Sequence, residues 1–271
     1  MEIYYGLKVD RADEILIAFL TQFEFESFEE NDDHFIGYIK KSNLTDETRI
    51  EVEGLLTEHE VTFNFYEIEP QNWNEIWEAS FQPVIVGNFC QVRADFHPSK
   101  DDIRYDLIIN PKMAFGTGHH ATTHMMIEKM ADIPFNEKKV FDFGCGTGIL
   151  AILASKLGAD QIDALDIEYE SYMNTIENAS INQVKNIKAF EGDLDIIIGD
   201  NYDIILANIN RNILVQNANV LVGKLAVSGK LLLSGILEED ADSVLKSYAV
   251  FGLKNQSQLS RDGWVCLLMT Q

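Results

Sequence analysis

The chain has 271 residues, 46% of them apolar and 10% aromatic, so it has ample surface to bury and an intrinsically disordered chain is excluded. Its 44 acidic and 21 basic residues leave a formal charge of −23, the wrong sign for a nucleic-acid binder that works by neutralising phosphates. Cys90, Cys145 and Cys266 are scattered and form no CxxC pair, which excludes a disulfide scaffold or zinc finger and points to a reducing, cytoplasmic compartment.

Residues 3–9 read as a strand, and 11–21 as a helix with Ile15, Leu16, Phe19 and Leu20 at helical spacing and Asp10 as its N-cap. Two aromatic runs, 23–28 and 35–40, read as strands flanking an Asn31-Asp32-Asp33 turn. A helix over 45–58, opening with Thr45-Asp46-Glu47-Thr48, and a strand over 60–68 complete a β-α-β-β-α-β order, that of a ferredoxin-like unit. The first 69 residues carry 18 acidic and 5 basic side chains, a balance of −13, against −10 for the remaining 202. That asymmetry suits either a solvated acidic face or a docking surface for a basic partner. Pro70 marks a boundary, and a helix over 72–80 places Trp73 and Trp77 on one face, as an interdomain packing helix would. The expected division is 1–68, a linker over 69–80, and 81–271.

Short strands follow at 84–86, 89–94 and 105–110. From Lys139 onward strands (140–143, 161–165, 187–190, 202–207, 230–234) alternate with helices (149–157, 168–182, 212–225, 238–248), and a hairpin over 253–259 and 264–270 turns at Arg261-Asp262-Gly263. Alternation of this kind predicts a parallel sheet covered on both faces. The opening residues lack the basic and apolar stretches of a leader, and no apolar run approaches the ~20 residues that span a bilayer, so no membrane attachment is expected.

Chemistry concentrates at strand ends. Asp142-Phe143-Gly144-Cys145-Gly146-Thr147-Gly148 removes every second Cβ from a strand-to-helix turn, so a ligand can approach the backbone in front of a helix N-terminus. The spacing is GxGxG rather than the dinucleotide GxGxxG. Asp166 ends the next strand, where a carboxylate can accept from two ribose hydroxyls, of a dinucleotide or of S-adenosylmethionine alike. Asp193, after the third strand, can meet an adenine amine or simply cap a turn. Asn208-Ile209-Asn210 ends the fourth strand, where sites of open α/β sheets lie. An Asn there offers a carbonyl to the N–H of an incoming amine, or closes an Asx turn. The segment Asn110 to Thr123, rich in glycine and hydroxyls, suits a cover over the cofactor's methionine end. Its adjacent His119 and His120 lack the HExxH spacing and a third ligand nearby, so no metal is expected.

Together these residues resemble the methyltransferases of large-subunit ribosomal protein eleven, the PrmA family. The matching pieces are Trp73 to Trp77, Phe81-Gln82-Pro83, Met113 to Gly118, His120, Thr122-Thr123, Asp142 to Leu150, Leu157-Gly158-Ala159, Asp166 and Ala207-Asn208-Ile209. The glycine loop is shared by many methyltransferases, whereas Phe115-Gly116-Thr117-Gly118 combined with Asn208-Ile209 is far more specific. The resemblance covers the chain from Asn72 onward. The first 68 residues match in size and predicted topology. His119 and Ala121 depart from the family's usual Thr and Pro. The fold implied is a class I S-adenosylmethionine-dependent methyltransferase domain, a Rossmann-like seven-stranded sheet, preceded by a small ferredoxin-like α+β recognition domain. The activity implied is methylation of lysine ε-amines and the N-terminal α-amine of a basic large-subunit ribosomal protein by a monomeric enzyme. Carried over by position, Thr123, Gly144, Asp166 and Asn208 contact the cofactor and Phe115 lines its pocket. Gly146 and Asp193 join them from the reading of the loop and the third strand, and Asn208 is the candidate catalytic residue. The alternatives are another amine methyltransferase on the same domain and, from a different class, an NAD-dependent oxidoreductase, which the GxGxG spacing and the terminal hairpin disfavour.

Overall fold

The computed structural model describes residues 3–68, 82–110 and 118–271, and the chain divides into two compact units, Met1–Ser80 and Phe81–Gln271. The helix expected over 72–80, with Trp73 and Trp77, lies outside the described residues.

The first unit holds β1 (Tyr4–Val9), α1 (Glu14–Leu20), β2 (Ser27–Glu30), β3 (Phe35–Lys40), α2 (Asp46–Glu58) and β4 (Phe63–Ile68), in an antiparallel sheet of order β2-β3-β1-β4. This is the ferredoxin-like arrangement. Strand alternation sends Leu7, Val9, Phe35 and Ile39 to one side, where they bury with Leu16, Leu20, Val52 and Leu56 of the helices. Thr45 caps α2, its Oγ1 accepting from the Thr48 N–H at 3.1 Å. The cap of α1 is Asp13 rather than Asp10. Asp13 is extended and its carboxylate accepts from Ile15 and Leu16, while Arg11 holds it from behind at 2.6 Å. The strand expected over 23–28 begins only at Ser27. Thr21–Phe23 continues as a 3-10 turn, and Glu24 takes a left-handed φ of 58° that swings Phe25 into the core.

The second unit opens with a small sheet, β5 (Val84–Val86), β6 (Cys90–Arg93) and β7 (Tyr105–Ile108), in that order. After α3 (Ala121–Met130) comes the large sheet. Its members are β8 (Lys139–Phe143), β9 (Gln161–Asp166), β10 (Ile187–Glu191), β11 (Tyr202–Asn208), β12 (Leu225–Leu237), β13 (Lys254–Arg261) and β14 (Trp264–Thr270). They lie in the order β10-β9-β8-β11-β12-β14-β13, with β14 antiparallel to both neighbours. The helices are α4 (Ile149–Lys156), α5 (Tyr169–Ile181), α6 (Arg211–Gln216), α7 (Ala218–Lys224) and α8 (Ala241–Ala249). Apolar side chains bury on both faces of the sheet, Val140, Ile204 and Leu232 on one, Phe141, Ile205 and Leu231 on the other.

The chain steps outward from β8 to β9 to β10 and then returns to β11 beside β8. That reversal opens a crevice at the carboxyl ends of β8 and β11, the place where such sheets bind ligands. The single helix expected over 212–225 breaks at Asn217, whose side chain donates to the Ile213 carbonyl at 3.0 Å. β12 is correspondingly long, and a bulge between Leu233 and Ile236 interrupts its pairing with β14. Ala121 is the first residue of α3, a position where proline and alanine both serve, so this departure from the family pattern leaves the helix start intact. Among the described residues no helix is long and apolar enough to cross a membrane.

Candidate functional site

The glycine loop leaves β8 with Gly144, Gly146 and Gly148 all at positive φ. Glycine is required at 144, because a Cβ there would run into the Ile209 side chain. It is required again at Gly235, at the β12 bulge, where a Cβ would meet the Ile209 backbone. Ile209 is thus clasped between two glycines on neighbouring strand ends, and that contact sets the position of Asn208. Gly235 carried no motif and escaped sequence reasoning.

Asp166 ends β9 facing the loop. Its Oδ2 accepts from the Gly146 N–H at 2.8 Å and its Oδ1 from the Glu168 N–H at 3.1 Å. Two backbone donors fix the carboxylate and leave its other lone pairs for a ligand. Asn208 ends β11, and its Nδ2 donates to Thr123 Oγ1 on α3 at 3.1 Å. Its Oδ1 is buried and, among the described residues, has no hydrogen-bond partner. A carbonyl oxygen in that state costs about 1–3 kcal/mol unless a ligand N–H reaches it. Asn210, two residues on, does the local work instead, its Oδ1 accepting from the Asn212 N–H at 2.8 Å to cap α6. Asp193 is exposed and caps a short turn, accepting from the Leu194 N–H at 2.7 Å, while also facing the cavity.

These groups surround one cavity of about 1140 Å³, lined by Thr123, Gly144, Gly146, Asp166, Asp193 and Asn208. That volume exceeds what one drug-sized ligand needs and leaves room for a nucleotide-bearing cofactor together with an incoming side chain. Six of the seven expected site residues therefore converge; Phe115 lies outside the described residues. Sequence reasoning missed Arg211, Asp240 and Trp264, which also line the cavity. Arg211 pairs with Asp240 at 3.3 Å on its lining. The Trp264 indole meets the His120 ring edge-on, with centroids 4.9 Å apart. None of the three sits in a motif, and only the sheet order brings β14 beside β12. His120 caps α3 through Nδ1, which accepts from the Thr122 N–H at 3.3 Å, and His119 Nε2 donates to the Gln82 carbonyl at 2.7 Å. Among the described residues no three His, Cys, Asp or Glu side chains are grouped to hold a metal.

Asp142 lies one layer beneath. Its Oδ2 accepts from the Ala151 N–H at 3.0 Å in the first turn of α4, tying β8 to the helix, while Oδ1 is buried with no partner among the described residues. Burial, helped by the nearby Asp166 charge, pushes its carboxyl up to about 7, against the Ala151 hydrogen bond. An unfolded Asp titrates near ~3.9. Between those values the folded protein holds the proton more tightly, so this group's stabilisation is present at low pH and is lost as pH rises through 7. Asp142→Asn keeps an acceptor for Ala151 and removes the charge. Its melting temperature relative to the parent is expected to climb by several degrees between about pH 5 and pH 8. A difference that stays flat across that range contradicts the assignment.

A family model described as ribosomal protein L11 methyltransferase (PrmA) matches residues 12–271. The ribosomal protein L11 methyltransferase of Porphyromonas gingivalis W83 is 40% identical over 271 residues, covering 97% of this chain and 92% of its own. That of Bacteroides thetaiotaomicron is 36% identical over 266 residues, covering 96% and 95%. Among solved structures, the ribosomal protein L11 methylase of Lactobacillus delbrueckii subsp. bulgaricus aligns with a TM-score of 0.64 at 27% identity, over 70% of this chain and 99% of that one. With a crevice of this geometry and a match running from residue 12 to the last residue, the chain belongs to the family of ribosomal protein L11 methyltransferases.

Proposed function

We propose that the chain transfers methyl groups from S-adenosylmethionine to lysine ε-amines and the N-terminal α-amine of ribosomal protein L11. The single observation that carries this reading is the buried Asn208 Oδ1, unpartnered among the described residues and placed as an acceptor for an N–H at the switch point of the sheet. S-adenosylmethionine supplies the methyl group already activated on a sulfonium. The residues present fit it. Asp166 accepts from the ribose hydroxyls with the lone pairs its backbone donors leave free. Gly144 and Gly146 let the ligand lie against the loop, and Asp193 accepts from the adenine amine. Thr123 holds the Asn208 amide, so that its Oδ1 receives one N–H of a neutral amine and aims the nitrogen lone pair at the methyl carbon. The protein needs no nucleophile of its own, because orientation can supply on the order of 7–11 kcal/mol. A lysine titrates near ~10.4 in water, and a desolvated site lowers that, so the proton leaves to solvent before transfer.

Residues 1–68 serve in this reading as the substrate-recognition domain and 69–80 as the linker. The balance of −13 over the first 69 residues steers a lysine-rich partner. Raising salt from about 0.05 to 0.5 M is expected to lower kcat/KM on the protein substrate roughly tenfold, chiefly through association. A salt-independent value returns that charge to a solubility role. The cofactor assignment is tested by calorimetric titration with S-adenosylmethionine and, in parallel, NADH. Micromolar binding of the first and none of the second is expected, and the reverse overturns the reading.

A further inference from the structure

Half of the cavity lining is left over once the cofactor is assigned. Sheet order divides that lining. Asp166, Glu168 and Glu170 follow β9 and Asp193 follows β10, the side that ribose and adenine take in the reading above. Asn208 ends β11, and beyond it lie Arg211 at the start of α6 and Asp240 between β12 and α8. Among the described residues of the lining, Asp240 is the one carboxylate on the β11–β12 side, and Arg211 is the one Lys or Arg on either side.

These two side chains pair at 3.3 Å, with Arg211 39% and Asp240 27% exposed. An ion pair so open to water is weak, and one cation readily replaces another in it. Counted over the described lining, five carboxylates face one guanidinium, and a cleft with that excess draws cations in. Four of the five stand on the cofactor side, which leaves Asp240 to meet a second ligand. Nearby on the lining, Ile213 and Leu237 are apolar yet exposed. The methylene stem of a lysine can cover such surface while its ammonium stays paired.

We propose that Asp240 is a specificity-determining residue: its carboxylate takes the ammonium of the incoming amine on entry, in exchange for Arg211. A lysine titrates near ~10.4, so the amine arrives charged. It reaches Asn208 as the neutral amine, after its proton has left to solvent, and a neutral amine has no charge to hold it at Asp240. Asp240 therefore governs KM for the protein substrate, and Asn208 governs kcat. This role rests on the reading of the chain as an amine methyltransferase with its cofactor on the β8–β10 side.

The test is steady-state methylation of ribosomal protein L11 at saturating S-adenosylmethionine by the full chain, Asp240→Asn and Arg211→Ala. Both substitutions break the same ion pair, so a purely structural pair shifts both variants in the same direction. Exchange of cations predicts opposite directions. In Asp240→Asn the KM for L11 is expected to rise about tenfold, with kcat within about twofold of the parent. In Arg211→Ala the competing cation is gone, and KM is expected to fall about two- to threefold. Asp240→Glu keeps the charge and should stay within about threefold of the parent KM. The Kd for S-adenosylmethionine, measured by calorimetry, should be the same in all of them. If Arg211→Ala does not fold, Arg211→Gln, which keeps a long polar side chain, carries the same comparison. An unchanged KM in Asp240→Asn, or a KM that rises in both variants, overturns the role of Asp240 alone. A parent protein that binds S-adenosylmethionine and leaves L11 unmethylated overturns the reading of the function, and this role with it.

Discussion

Asn208→Ala is expected to lower methyl transfer by about a hundred- to a thousandfold while the protein stays folded. The magnitude is that of removing one preorganised polar group at a reacting centre. Among the described residues the side chain's Oδ1 has no partner, so its removal takes away no stabilising bond at that atom. Only the donation from Nδ2 to Thr123 Oγ1 is lost, worth about 0.5–1.5 kcal/mol, and the relief of a buried orphan offsets it. The melting temperature should therefore stay within a few degrees of the parent, and the Kd for S-adenosylmethionine within a few fold. The loss falls on kcat, which separates a catalytic role from a packing one. Asn208→Asp retains an acceptor at the same place and should recover part of the rate. A variant without Asn208 that turns over like the parent removes this residue from the mechanism.

Asp166→Ala is expected to act on the other constant. Two hydrogen bonds from ribose hydroxyls to a charged acceptor contribute about 1.5–3 kcal/mol each. Loss of both, tempered by water taking their place, predicts a Kd about a hundredfold weaker. The Gly146 N–H also loses its acceptor, so the loop itself is less firmly held. At saturating cofactor kcat should remain within about tenfold of the parent, because Asn208 and Thr123 are untouched. Calorimetry decides: an unchanged Kd contradicts the ribose assignment and leaves Asp166 as the closure of a turn at Glu168.

The parts of the site that were legible in the sequence are those whose chemistry is local. Three alternate glycines after an apolar strand leave few other conformations open, and Asp166 and Asn208 each sit at a strand end that periodicity locates to within a residue. What escaped depended on long-range placement. Arg211, Asp240 and Trp264 come to line one cavity only because β14 inserts beside β12 and the chain after β12 folds back. The polar face of α5, where Asn174, Thr175 and Asn178 are buried, carries no motif either, and the hydrogen bonds of Asn178 to Asn110 and of Asn182 to Ile108 are what show it packed. At the element ends, Asp13 displaced Asp10 as cap because it is held extended by Arg11, and Asn217 split a helix by bonding back to Ile213. In each case a side chain's bond to nearby backbone or to a neighbour decided a boundary that propensity alone left open.

The two constants, kcat through Asn208 and Kd through Asp166, are set by groups at the ends of β11 and β9, which flank β8 in one sheet. Asp142 lies beneath both and Asn178 beside the loop. The central claim is amine methylation, and intact-mass spectrometry tests it most directly. Ribosomal protein L11 is incubated with the chain and S-adenosylmethionine, followed by fragmentation. The account predicts mass gains in whole methyl steps, located on lysine side chains and the N-terminal amine, and absent with Asn208→Ala over the same time. An L11 mass that does not change, under conditions where calorimetry shows the cofactor bound, would contradict it.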